Sequence, residues 1–163
     1  MPENRAYPPE GLTPPAPYTL AELRSAMESR AVVEGVAQRC DAALNLSVQL
    51  GRISAIMPRE EATAPWISGA NREIAVLSRV GKPICCTVES IAADAKGAPL
   101  VTVSRRQAQE QAMDTMLENL RPGSVVAGRV VRMEPFGAFA DIGRGIVALL
   151  PTEFISAARI RRP

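Results

Sequence analysis

Two aromatic rings three residues apart, in Phe136-Gly-Ala-Phe139, are the side chains of this sequence best suited to recognition chemistry. A pleated strand sends residues i and i+3 to opposite faces. Both rings therefore reach one surface only if the strand bends near Gly137 or if Phe136 lies at its start. Exposed together, such rings make a platform on which unpaired bases stack, worth about 1–3 kcal/mol per base. Buried, one or both would simply fill a core. Arg129, Arg132 and Arg144 surround the segment, and the planar guanidinium suits bidentate contact with phosphate. The basic residues are lopsided in kind: all are arginines except Lys82 and Lys96. They are lopsided in position too. Residues 121–163 hold seven Arg against three acids, a charge of +4, while residues 1–120 carry −2.

Other chemistry is closed by composition. Histidine is absent, which removes the commonest general base, the Ser-His and Cys-His pairs and His-containing zinc sites. Three cysteines, Cys40 and the adjacent Cys85 and Cys86, fit neither a disulfide framework nor a four-thiolate site, and read as small reduced thiols. Neighbours on one strand point to opposite faces, so Cys85 and Cys86 do not bridge. Glu60 and Glu61 have no companion cluster for acid–base work. Gly143-Arg-Gly145 reads as a turn and not a phosphate loop, because no helix comes after it. No run approaches the roughly 20 apolar residues that cross a bilayer, and residues 1–18 lack the order of a secretory signal. The expectation is a cytoplasmic, non-enzymatic protein without metal, cofactor or membrane.

These side chains need a frame. Residues 1–18 contain six prolines and read as a disordered tail. Thr19-Leu-Ala-Glu22 fits a capping box, and Leu20, Leu23 and Met27 continue at helical spacing, predicting a helix over 19–30 packed on the first barrel. The texture then becomes β. Strands are expected over 32–40, 44–50, 52–57, 84–91 and 100–104, and five short strands in so few residues suggest a closed barrel over 31–106. Trp66 is read as a cap over the barrel end. Ser104-Arg-Arg-Gln107 opens a second helix, the connecting segment 107–122, which Arg121-Pro-Gly123 ends.

After it the β texture restarts, and the restart is a repeat. A shift of 93 places Gly35 on Gly128, Arg39 on Arg132, Ala55 on Ala148, Pro58 on Pro151 and Glu60 on Glu153, with one gap near Gly51 and Gly143. The second copy, 123–163, holds material for three strands: 125–133, 137–142 and 146–150. It is expected to be incomplete and the chain to be the N-terminal part of a longer protein, with residues 123–163 poorly packed.

Pro122-Gly123, Gly128-Arg-Val130, Phe136-Gly-Ala-Phe139 with Gly143, then Leu149-Leu150 and Ile155-Ser156 resemble the RNA-binding repeat of bacterial ribosomal protein S-one. The first copy resembles a diverged member, through Gly35-Val36, Pro58, Val80-Gly-Lys-Pro83 and Val103-Ser-Arg-Arg106. The whole looks like a short multi-repeat relative of that protein. The resemblance implies a mainly β fold of tandem five-stranded OB-fold barrels, the second truncated, with an N-terminal and an inter-domain helix. It implies binding of single-stranded RNA, mRNA or rRNA, in the bacterial translation apparatus, with the small ribosomal subunit as a further partner. The RNA-contacting residues would be Phe136, Phe139, Arg129, Arg132 and Arg144, and in the first copy Arg39, Arg52, Arg105 and Arg106. Pro151 stands where the family often carries His. Ala43 and Leu46 fall on the aromatic positions in the first copy, so that barrel lacks a platform. Two alternatives stay open: a ribosome- or protein-docking module, and the accessory RNA-binding part of an RNA-degrading enzyme.

Overall fold

Thr19 starts the first helix as its capping box requires. Its hydroxyl accepts from the Glu22 amide while the Glu22 carboxylate accepts from the Thr19 amide at 2.7 Å, and α1 runs Leu20–Ser29. Arg30 ends it in the left-handed region, at φ 53°. The computed structural model describes residues 7–155. Five strands come after α1: β1 (Val32–Cys40), β2 (Leu46–Leu50), β3 (Ile53–Met57), β4 (Pro83–Ala93) and β5 (Pro99–Ser104). They close into a barrel in the order β1-β2-β3-β5-β4, where β3 pairs with β5 in parallel and the other neighbours are antiparallel. Alternation in β2 puts Leu46, Val48 and Leu50 inside, and Met57, Ile84, Cys86, Val101 and Val103 complete the core. Leu23 of α1 is fully buried against it.

A short helix, α2 (Ala70–Leu77), lies between β3 and β4 where no helix is expected from the sequence. It has no side-chain N-cap, since Gly69 precedes it at φ 60°, and eight residues give little periodicity to read. Trp66 does not cap the barrel. It is 53% exposed, and the small residues Ala62, Thr63 and Ala64 are buried in that segment instead.

Ser104 caps α3 (Arg105–Asn119) by accepting from the Gln107 amide, as the Ser104–Gln107 box requires, so the helix takes in Arg105 and Arg106, which the expected boundary at 106 gives to the first barrel. Beyond it, β6 (Arg129–Glu134), β7 (Gly137–Asp141) and β8 (Val147–Pro151) form an antiparallel meander, and α4 spans Thr152–Ile155. Ala112 and Met116 of α3 pack on Ile146, with Tyr7 and Ile142 beside them.

The meander repeats a detail that the sequence comparison does not contain. The pairing of β1 with β2 shifts register between Ala37 and Arg39, and that of β6 with β7 shifts between Val130 and Arg132, positions 93 residues apart. On the partner strands, Arg39 faces Ser47 and Arg132 faces Phe139, an offset of 92 and not 93. The offset returns to 93 at Ala55 and Ala148, so two one-residue gaps flank β2, and the positions that the ladders align with Phe136 and Phe139 are Leu44 and Ser47 instead of Ala43 and Leu46. Leu46 lies in the core.

Among the described residues the three-stranded sheet leaves much apolar surface exposed, at Val130, Val131, Met133, Val147, Leu149 and Leu150. Residues 156–163 of the expected second repeat lie outside the described residues.

The expected tail also needs correction. From Tyr7 onward it is seated on both halves, and Glu10 is 6% exposed, paired with Arg105. Proline excludes helix and central strand from this segment but does not prevent an extended chain from docking.

Candidate nucleic-acid interface

Glu134 pairs with Gly137, so Pro135 and Phe136 are the two residues of a hairpin loop and Phe136 stands at the entrance to β7. That resolves the pleating problem in favour of the second alternative. The Phe136 and Phe139 rings meet edge to face, with centroids 6.1 Å apart and planes at 87°. Phe136 is 57% exposed and Phe139 half-buried. The loop is pinned from below, because the Thr152 amide donates to the Phe136 carbonyl at 3.0 Å. Gly137 is required for the close approach of β8: a Cβ there would lie 2.5 Å from the Leu150 carbonyl oxygen.

The Arg132 guanidinium sits over the Phe139 ring, 5.2 Å from its centroid, and pairs with Glu134 at 2.8 Å. It extends the aromatic pair into a surface with a ring, an edge and a cation. Arg129, also on β6, is exposed and donates to the Glu10 carbonyl at 3.3 Å.

Residues 119–163 match the S1 RNA binding domain. The matched span contains the whole β6–β7–β8 sheet with its aromatic pair, and the match supports RNA binding by this part of the chain. Comparison with curated proteins finds no match. Among solved structures, the chain is similar to a multidomain protein with nucleic acid binding domains from Streptococcus pneumoniae TIGR4, with 14% identity over 78% of this chain and a TM-score of 0.26. The chain spans about a third (35%) of that protein's length.

The other predicted contacts are dispersed. Arg39 and Arg52 are exposed on the first barrel. Arg105 is buried and unavailable to phosphate: its Nε and Nη2 donate to the two carboxylate oxygens of Glu10, each at 2.7 Å. Arg106 is committed to Glu61 at 2.7 Å. Arg144 lies with its guanidinium 3.6 Å from the Tyr7 ring centroid and donates to Gln111, and burial pushes its pKa down. Sequence spacing could not separate these arginines from the free ones, because their partners lie far away in the chain.

The ion pair of Glu10 and Arg105 is the centre of the junction between barrel and sheet. Glu10 Oε1 also accepts from the Cys85 amide at 3.1 Å, and Arg79 approaches Oε2 at 3.6 Å. Burial raises the Glu10 pKa, but Arg105 and the Cys85 amide outweigh it and hold the carboxyl below its ordinary value. On the sheet side, Asp141 Oδ2 accepts from the Glu10 amide at 2.8 Å, and Oδ1 accepts from the Gly143 and Gly145 amides. Gln109 of α3 donates to the Gly145 carbonyl. Gly143-Arg-Gly145 is thus a turn, as expected, and a structural one. Cys85 faces this polar layer and Cys86 the barrel core; burial raises both thiol pKa values, so neither is a nucleophile at neutral pH.

Sequence reasoning missed Arg79 and Lys82. They lie in the turn after α2, across a cleft of about 580 Å³ from Arg129, Arg132 and Phe139. Only the pairing of the two halves brings them there.

Proposed function

We propose that this chain is a non-enzymatic, single-stranded RNA-binding protein of the bacterial translation apparatus, cytoplasmic and built from two OB-type repeats. The observation that carries this reading is the edge-to-face pair of exposed Phe136 and half-buried Phe139, with Arg132 over the Phe139 ring, inside the segment that matches the S1 RNA binding domain. Bases stack on the two rings, and Arg132 and Arg129 neutralise phosphates. The first barrel, with Leu44 and Ser47 in place of the aromatic residues, has no platform. That observation favours a docking role for it, with the small ribosomal subunit as the candidate partner.

The test is Phe136→Ala with Phe139→Ala, with binding of labelled single-stranded RNA followed by fluorescence anisotropy. Two lost stacking contacts weaken affinity by about 2–4 kcal/mol, or roughly 30- to 900-fold, while circular dichroism stays native. Unfolding of the double variant would show that the rings are core. Native fold with unchanged affinity would leave protein docking as the function.

A further inference from the structure

The cleft across the junction is lined by four cations, two from each side: Arg79 and Lys82 from the turn after α2, Arg129 and Arg132 from β6. Two acids also border it, and both are already engaged. Glu10 is held by Arg105, and Asp141 by three backbone amides. Glu134, outside the lining, pairs with Arg132 at 2.8 Å, and Arg79, Lys82 and Arg129 keep the opening positive. At its β7 end stands Phe139, so the cleft is continuous with the aromatic platform.

The Arg79–Lys82 turn is rigid. The Lys82 amide donates to the Arg79 carbonyl at 3.0 Å, the Gly81 amide to the Ala37 carbonyl at 2.7 Å, and the Ala37 amide to the Lys82 carbonyl at 3.1 Å. The turn is bonded in this way to β1, and the Lys82 side chain is exposed. Cations on a pinned turn lose little entropy when they engage a ligand. Arg79 is steered toward the cleft by its 3.6 Å approach to Glu10, and burial lowers its pKa without neutralising it.

We propose that this cleft is a phosphate track for single-stranded RNA. It takes the sugar–phosphate backbone of the same strand whose bases stack on Phe136 and Phe139, so the first barrel binds through its rim and not through its own sheet face. This rests on the aromatic pair being the base-stacking platform. The chemistry is that of a polyanion with regularly spaced charges: cations face each other across the opening, and the bases find their aromatic partners only at one end.

The experiment compares Lys82→Ala, and Arg79→Gln with Lys82→Ala, in the full chain, using labelled oligouridylates of about 4 and about 12 nucleotides, spanning the usual range of OB-fold sites. A short strand is satisfied by the platform, and a long one also reaches the track. Each lost single-strand phosphate contact lowers the slope of log K against log salt by about 0.7, which near 0.15 M salt is about 4-fold in affinity. The expected losses for the 12-mer are about 4-fold for Lys82→Ala and about 15-fold for the double variant, with the 4-mer unchanged. Lys82→Ala removes an exposed side chain and keeps the test valid if the Arg79 variant loses stability. Unchanged 12-mer affinity and salt slope in folded Lys82→Ala would overturn the track, as would equal losses for both lengths. The Phe136→Ala, Phe139→Ala variant separates the two readings: loss at both lengths there, with no effect of the Lys82 change, would retain the platform and refute the track.

Discussion

Removing the Glu10 carboxylate, by Glu10→Ala, is expected to unlock the barrel from the sheet. In the native chain Arg105 is 5% exposed, and both arms of its guanidinium that face Glu10 make 2.7 Å bonds. After truncation, among the described residues, only Gln109 at 3.2 Å and the Ala62 carbonyl at 3.4 Å remain to solvate a buried cation, and the Cys85 amide loses its acceptor. Breaking a buried ion pair on one side costs about 3–5 kcal/mol. Urea denaturation followed by circular dichroism measures it as a lower midpoint at unchanged slope. Hydrogen exchange of the Cys85 and Gly145 amides locates it, since both are held by this network. The pH dependence has a definite sign. Arg105 holds the Glu10 pKa below its unfolded value, so the pair's stability is present above the ordinary carboxylate range and is lost as pH falls through the lowered value. Replacing both partners, Glu10→Leu with Arg105→Met, should cost far less than Glu10→Ala, because the buried charge of Arg105 is no longer left unpaired and the more exposed Arg79 loses only a 3.6 Å contact. A loss below about 1 kcal/mol for Glu10→Ala, with unchanged exchange at Cys85, would refute the claim that residues from Tyr7 onward lock the two halves together.

Three further outcomes are expected from the same geometry. Gly137→Ala drives a Cβ to 2.5 Å from the Leu150 carbonyl oxygen and should cost about 1–3 kcal/mol in urea while weakening RNA binding, because β8 must move away from the platform strand. Arg144→Ala should lower stability by about 1 kcal/mol through its lost stacking on Tyr7 and leave RNA affinity unchanged; Arg132→Ala should do the reverse and flatten the salt dependence, as anisotropy titrations at several salt concentrations would record. Glu34→Gln concerns a carboxyl whose Oε2 is buried with no hydrogen-bond partner among the described residues and whose pKa is raised, first by burial and then, against a lowering backbone hydrogen bond with Gly11, by Glu10 and Asp141. Its ionisation penalises the fold, so the substitution should raise the melting temperature near pH 8 and leave it unchanged near pH 4, below both pKa values.

Local physics alone determined much of this protein. The Thr19 capping box, the alternation in β2 and the Ser104 cap are decided by residues within a few positions of each other, and the sequence places them within two or three residues of where they stand. The aromatic pair was legible because two rings three apart beside a glycine leave few arrangements, and the hairpin at Pro135–Phe136 selected one. The arginines were not. Whether a guanidinium meets solvent or a carboxylate depends on a partner such as Glu10, which lies 95 residues from Arg105, and no periodicity encodes a pairing at that distance. The same limit turned a proline-rich segment, read as a tail, into the lock of the junction. It also hid how far the offset of 92 at Gly51 and Gly143 extends, which the ladders of Arg39 against Ser47 and Arg132 against Phe139 carry to the aromatic positions. Tertiary structure decided which charges are spent inside and which face the cleft, because burial and pairing depend on what the fold brings alongside and not on residue type.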